Sequence, residues 1–299
     1  MVTFKKILAQ SFIWLILIII YLPVLMLIAF SFNDTTIIGS WHSGGGWNGT
    51  GLTGELYVRL FQNKEIWTAV ANTAILAITS GLVSTLLGTL GAIGSFYSKR
   101  RTSTILDGIN NIPIVNAEVV IAMSLTVMFV FAGNMIFKTN LFSFWTLLIG
   151  HVVIGLPFVY LNVKPKLQQM NPELYEAALD LNANPAIALR RVIFPQVAPG
   201  VFSGFLLAIS LSLDDLIITN FTAGPGLLSG EGTIVTLSTM IQAKIVKGAV
   251  PAELRPLTLL IFLLVVSIVV VYTMINNFKA NKASAHAKRR NKLLNEEAR

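Results

Sequence analysis

Runs of about twenty apolar residues recur along this chain, near residues 12 to 32, 67 to 97, 108 to 132, 141 to 162, 197 to 223 and 256 to 278. No other feature narrows the fold as far. A hydrocarbon slab of about 30 Å is crossed by about 20 apolar residues in a helix, and a helix satisfies its own backbone where no water is present. With 54% hydrophobic and 12% charged residues and a mean hydropathy of +0.72, the 299-residue chain has more apolar content than a soluble core of its size needs. The expectation is an all-α polytopic membrane protein with six transmembrane helices. Lys5 and Lys6 precede the first run as in a signal peptide. Its length and the lack of a small-residue cleavage site predict that it stays as a helix. The third run carries "DGINNIPIVNAE" in its first half, with Asp107, Pro113 and Glu118, which predicts a broken or water-lined helix.

Orientation follows from the cations. Lys5 and Lys6, Lys99 to Arg101, Lys164, Lys166, Arg190, Arg191 and the tail after residue 278 fall on one side. Only Arg59, Lys64, Lys138, Lys244, Lys247 and Arg255 fall on the other. The bias places both termini in the cytoplasm. Topology and attraction to anionic membrane lipid explain the net charge of +8 without nucleic acid. The chain has no cysteine, so thiolate metal sites and cysteine catalysis are excluded. His151 on an apolar helix reads as a packed histidine rather than a metal ligand. The glycines 88, 91 and 94 favour close helix packing.

A charged, proline-punctuated stretch, "ELYEAALDLNANPAIALRRVIFPQ", interrupts the apolar pattern on the cytoplasmic side. Asn171, Pro172 and Glu173 form a helix start. Leu174, Ala177, Ala178 and Leu181 follow at one-face spacing, and Asn182 suits the left-handed position that ends a helix. Asn184 and Pro185 repeat the start signal, predicting a second short helix toward Arg190 and Arg191 that ends before Pro195. So short a helix is marginal alone. Its stripe packs either on the chain's own helix ends or in a groove on another protein.

The order Glu176-Ala177-Ala178, three residues, Asn182, nine residues, Val192-Ile193-Phe194-Pro195 resembles the EAA loop of permease subunits of bacterial ABC importers. Asn182 stands where that pattern has glycine, Val192 where it has isoleucine and Phe194 where it has leucine. The resemblance implies a type I ABC importer permease fold. It also implies a coupling loop over 163–196 that engages a cytoplasmic P-loop ATPase dimer through Glu176, Ala177, Ala178, Asn182 and Pro195. No G-x-x-x-x-G-K-[ST] loop occurs in the chain, so ATP is expected on a partner, with no cofactor and no catalysis here. The organisation expected is a permease domain over 1–278 and a cytoplasmic basic tail over 279–299.

Charges at membrane depth default to functional candidates. Asp214 and Asp215 lie in "ISLSLDDLIITNFTAGP", and Glu118 opens the apolar half of the third run. On a continuous helix Asp215 shares a polar stripe with Ser212, Thr219 and Thr222. It is therefore expected to face an aqueous cavity, with Asp214 making a helix contact. Three carboxyls without an intramembrane Lys or Arg suggest a cationic cargo or a protonated resting state; the alternative is bonding to neighbouring helices. "SFND", "LPFVYLNVKPKLQ" and "SLDDLIITNFTAGP" resemble the second permease subunit of spermidine/putrescine importers. That likeness implies a second, homologous permease subunit and an extracytoplasmic polyamine-binding protein as further partners. An ABC permease for another cationic or small solute, and an ion-coupled secondary transporter, are the other readings left open.

Overall fold

In the computed structural model, residues 2–33, 51–171, 173–223, 234–248, 252–264, 266, 267, 270 and 274 are described. Apart from one isolated bridge between Asn33 and Leu52, the described residues are helix, turn and loop. Five helical stretches are long and apolar enough to cross a membrane: Gln10–Phe30, Lys64–Tyr97, Glu118–Phe137, Phe144–Gln169 and Pro185–Asp214. The sixth expected span, 256–278, is represented by the apolar helix Leu254–Leu264, most of the remainder lying outside the described residues. The basic tail 279–299 also lies outside them.

The chain divides into two compact units, Lys64–Ala249 and Met1–Asn63 with Val250–Arg299. In the second, α1 (Val2–Phe30) is apolar on every side from Phe12 onward, and the short α2 (Glu55–Gln62) buries Leu56 and Leu60. The buried Asn33 amide donates to the Gly51 carbonyl at 3.0 Å.

The larger unit is built on three long helices: α3 (Lys64–Tyr97), α6 (Phe144–Gln169) and α9 (Phe194–Asp214). Ser84 meets Gly155 and Gly88 meets Val159, so α3 and α6 run in the same sense. Gly155 meets Ala208, Val159 meets Gly204 and Asn162 meets Gly200, so α9 runs against them. Small residues set these approaches: a Cβ on Gly88 would come 2.8 Å from Val159 Cβ, and one on Gly200 would come 2.6 Å from the Asn162 carbonyl. Without a hydrophobic drive between helices in lipid, such close contact is the main source of association. Of the three glycines expected to pack closely, only Gly88 does. Gly91 has one ordinary contact, with Tyr160, and Gly94 faces open space.

Two expected spans differ in shape. The polar half of the third run forms a helix of its own, α4 (Arg100–Val115), and the chain is extended at Asn116 and Ala117 before α5 (Glu118–Ala132). A π turn, Gly133–Phe137, prolongs α5. The span thus begins at Glu118 rather than at 108, and the break is where the sequence placed its polar residues. The fifth run is also broken. Helix α9 stops at Asp214, Asp215 takes an extended ψ of 123°, and a new helix, α10 (Ile217–Thr222), follows. α11 (Leu237–Val246) completes the unit.

Candidate functional site: facing helix breaks and an exposed connecting helix

The break between α9 and α10 decides what its two aspartates do. Asp215 bends back over the start of α10, accepting from the N–H groups of Ile218 at 3.2 Å and Thr219 at 2.9 Å and from the Thr219 hydroxyl at 3.0 Å. These are the amide groups that a helix start leaves unpaired. Its side chain is only 6% exposed. The continuous-helix stripe expected from the sequence is therefore corrected: Asp215 is turned inward as a cap, and Asp214 is the exposed member of the pair. Leaving helical geometry at residue 215 gives the two carboxylates their separate directions.

Behind Asp215 lies a hydrogen-bonded chain that crosses the three-helix core. Ser80 of α3 donates to Ser212 at 3.0 Å, and Ser212 lies 2.8 Å from His151 Nδ1. His151 Nε2 lies 3.0 Å from the Thr219 hydroxyl and 3.5 Å from Asp215 Oδ2. A ring proton on Nε2 satisfies every member, with Ser212 donating to Nδ1 and Thr219 donating onward to Asp215. Ser80, His151, Ser212 and Thr219 are all buried. Spacing along the chain links only Ser212 and Thr219; the register of α3 and α6 against α9 brings Ser80 and His151 to them.

Glu118 opens α5 at the other break and reaches the same place, within electrostatic reach of both Asp215 and Asp214. Thr126 donates to the Phe221 carbonyl at 2.8 Å, so α5 and α10 run side by side from these breaks. The structure thus gathers Glu118, Asp214 and Asp215, which the sequence singled out separately. Among the described residues no Lys or Arg forms an ion pair with any of the three. His151, level with Asp215, is about 10 Å along α6 from Phe144 and about 27 Å from Gln169, so the trio lies toward one end of the bundle.

At the opposite, Lys-rich end, α6 passes through Met170 and Asn171 into α7 (Glu173–Asp180). Asn171 Oδ1 accepts from the Glu173 N–H at 3.0 Å; Pro172 lies outside the described residues. Asn182 adopts φ 63°. Its N–H donates to the Leu179 carbonyl at 2.8 Å and that of Ala183 to the Ala178 carbonyl at 3.1 Å, a Schellman end. Helix α7 buries none of its residues. Tyr175 faces inward, its ring 5.1 Å from that of Tyr97, and Ala178 is half-buried beside it. Glu176, Ala177 and Leu174 face out, and Leu181 is 85% exposed. The stripe is thus split, with only its Ala178 edge resting on the chain itself. The second short helix does not end before Pro195. Helix α8 (Pro185–Ala188), with Asn184 capping the Ala186 N–H, continues through a π turn, Leu189–Ile193, into α9. Pro195 directly follows the π turn, in the first turn of α9.

Comparison with known proteins identifies the family and the fold. Residues 84–281 match the family described as binding-protein-dependent transport system inner membrane component. The spermidine/putrescine transport system permease protein PotC of Escherichia coli is 30% identical over 69% of this chain and 73% of its own length. PotC of Haemophilus influenzae is 30% identical over 73% of this chain and 79% of its own. The putrescine transport system permease protein PotI of Escherichia coli is 28% identical over 81% of each. In fold, the chain matches a bacterial ABC transporter that imports the acidic polysaccharide alginate, with a TM-score of 0.67, 13% identity and coverage of 92% and 96%. The chain belongs to the inner membrane components of binding-protein-dependent transport systems: it is a permease subunit, and ATP hydrolysis resides in a separate subunit.

Proposed function

We propose that this permease subunit serves an ATP-driven polyamine importer and that Glu118 and Asp214 meet the cargo while Asp215 positions them. The observation that carries the reading is the gathering of three carboxyls at two facing helix breaks with, among the described residues, no Lys or Arg paired to them. Like charges so close repel unless a cation or a proton lies among them. Broken helices at depth are found where the backbone lines a cavity or is covered by protein. The polyamine names of the relatives PotC and PotI support the same cargo.

In this reading the termini and α7 face the cytoplasm, and the carboxyl trio lies toward the outer face, where an extracytoplasmic polyamine-binding protein delivers cargo. A second, homologous permease subunit forms the other half of the path. Each subunit is driven through its coupling segment by one copy of a P-loop ATPase dimer. Here the segment comprises Glu176, Ala177 and Ala178 on α7, Asn182 as its terminator and Pro195 at the start of α9. The exposed face of α7 is what supports the contact: Tyr175 and Ala178 turn toward the chain itself, while Leu174, Glu176, Ala177 and Leu181 stay exposed.

The test is spermidine uptake by proteoliposomes holding this chain with the permease, ATPase and binding protein encoded beside it. Asp214→Asn with Glu118→Gln should lower uptake about tenfold or more, the scale of a lost charge-assisted hydrogen bond. Near-native uptake by that double variant would remove the carboxyls from the cargo path. Uptake of a different cation by the wild type, with spermidine excluded, would replace the cargo and keep the site.

A further inference from the structure

Lys164, one turn and a half from the end of α6, is held by oxygen atoms from three helices. Its ammonium is bound to the Asp107 carboxylate of α4 and lies 3.1 Å from Ser95 of α3, 3.2 Å from Ser103 of α4 and 3.3 Å from the Tyr160 hydroxyl of α6. Tyr160 donates to the same Asp107 carboxylate at 2.5 Å, and Ser95 and Ser103 are 3.0 Å apart. Partial burial opposes ionisation of Asp107, but the hydrogen bonds from Lys164 and Tyr160 outweigh it and hold the carboxyl below its usual value.

This knot ties α4 to α3 and α6. Among its residues α4 buries only Asn110. An open pocket of about 500 Å³ lies where α4 meets α3 and α6, lined by Gly91, Leu106, Ile109, Asn110 and Leu156 among others. The Asn110 carboxamide oxygen has no hydrogen-bond partner, and an unsatisfied buried acceptor marks an interface that is not fully closed. Its other polar tie to α6 is a long one, Asn110 Nδ2 donating to the Pro157 carbonyl at 3.5 Å, so a helix packed so loosely can turn about the knot.

The knot also lies between the two parts of the site. On one side the Tyr175 ring of α7 rests on Tyr97, two residues beyond Ser95 in α3. Lys164 itself lies on the helix that leads into α7. On the other side α4 leads from Asp107 to the break at Asn116 and Ala117 and so to Glu118. We infer that Lys164 is a positioning residue for transport, its ammonium being the joint that passes movement of α7 to α4 and thence to Glu118. The inference rests on α7 being the segment that the ATPase moves. Contiguity alone does not establish coupling, so the measurement must report coupling itself.

The experiment measures ATP hydrolysed and spermidine taken up in the same proteoliposomes of the assembled importer. Lys164→Met and Asp107→Asn should each lower uptake per ATP by about fivefold or more, the lower end of measured couplings between sites. Exchanging the charges, Asp107→Lys with Lys164→Asp, should recover much of the loss. A merely structural role would reduce the amount of complex recovered and leave uptake per ATP unchanged, and that result would overturn the inference. Glu176→Lys in parallel separates the two readings. If it uncouples the importer while Lys164→Met does not, only the joint is lost; if it leaves coupling intact, the coupling role of α7 fails first. Should Lys164→Met not assemble, Ser103→Ala removes one acceptor while keeping the ion pair. A smaller fall in uptake per ATP is then expected, and an unchanged ratio overturns the inference.

Discussion

The break around Asp215 and the short helix α7 are opposites in how they are held. Asp215 is enclosed: its carboxylate caps α10, and Ser80, Ser212, His151 and Thr219 back it in a hydrogen-bonded chain drawn from four helices. Helix α7 is held at its two ends by local caps and along its length by little more than the Tyr175 ring. A carboxyl that must wait at depth needs a support fixed in advance, because an unsatisfied polar group there is costly. A helix that seats in a moving partner needs a free face and ends that preserve its shape when little else does.

This contrast can be broken by substitution, and the largest effect belongs to the exposed helix. Ala177→Trp, on the outward face, should abolish ATP-driven uptake while the protein still inserts and keeps its melting temperature, since no intrachain contact is altered. Unimpaired uptake would show that this face meets nothing. The aspartate pair comes next. Asp215→Ala removes three hydrogen bonds at the start of α10 and should destabilise the detergent-purified protein by about 1–2 kcal/mol, read from thermal unfolding. Asp214→Ala should leave the unfolding curve in place and act on uptake alone. Matching unfolding curves for the two variants would mean that the cap does not matter. The smallest effect is at Asn182, where φ is 63°. Asn182→Gly should be neutral or slightly stabilising in uptake and melting assays, whereas Asn182→Val should cost about 1 kcal/mol or more through strain in the left-handed region. Equal behaviour of glycine and valine would deny that the turn depends on backbone geometry.

The same contrast explains what could be read before folding. Asn171, Asn182 and Asn184 acted as their local chemistry predicts, because a cap involves atoms only a few residues apart. The carboxyls Glu118, Asp214 and Asp215 were legible as candidates because charge inside an apolar run stands out. Their roles were not. A polar stripe through Asp215 exists only if the helix continues past it, and the break inverts the directions of the two aspartates. Likewise Pro195 suggested a stop, yet a π turn carries the helix past it. Lys164 and Asp107 looked like a topology signal and a polar blemish; 57 residues apart in the chain, they meet only because α4 folds back against α6.

The order of the residues alone fixed the helical class, the apolar spans and the capped segment at the Lys-rich end, because water, lipid and the backbone's need for hydrogen bonds act on every stretch where it stands. The tertiary structure decided which carboxylate is held and which is free, and which cation ties α4 in place. Those outcomes depend on side chains from distant helices arriving at one point, and the small-residue packing of α3, α6 and α9 sets where that point is.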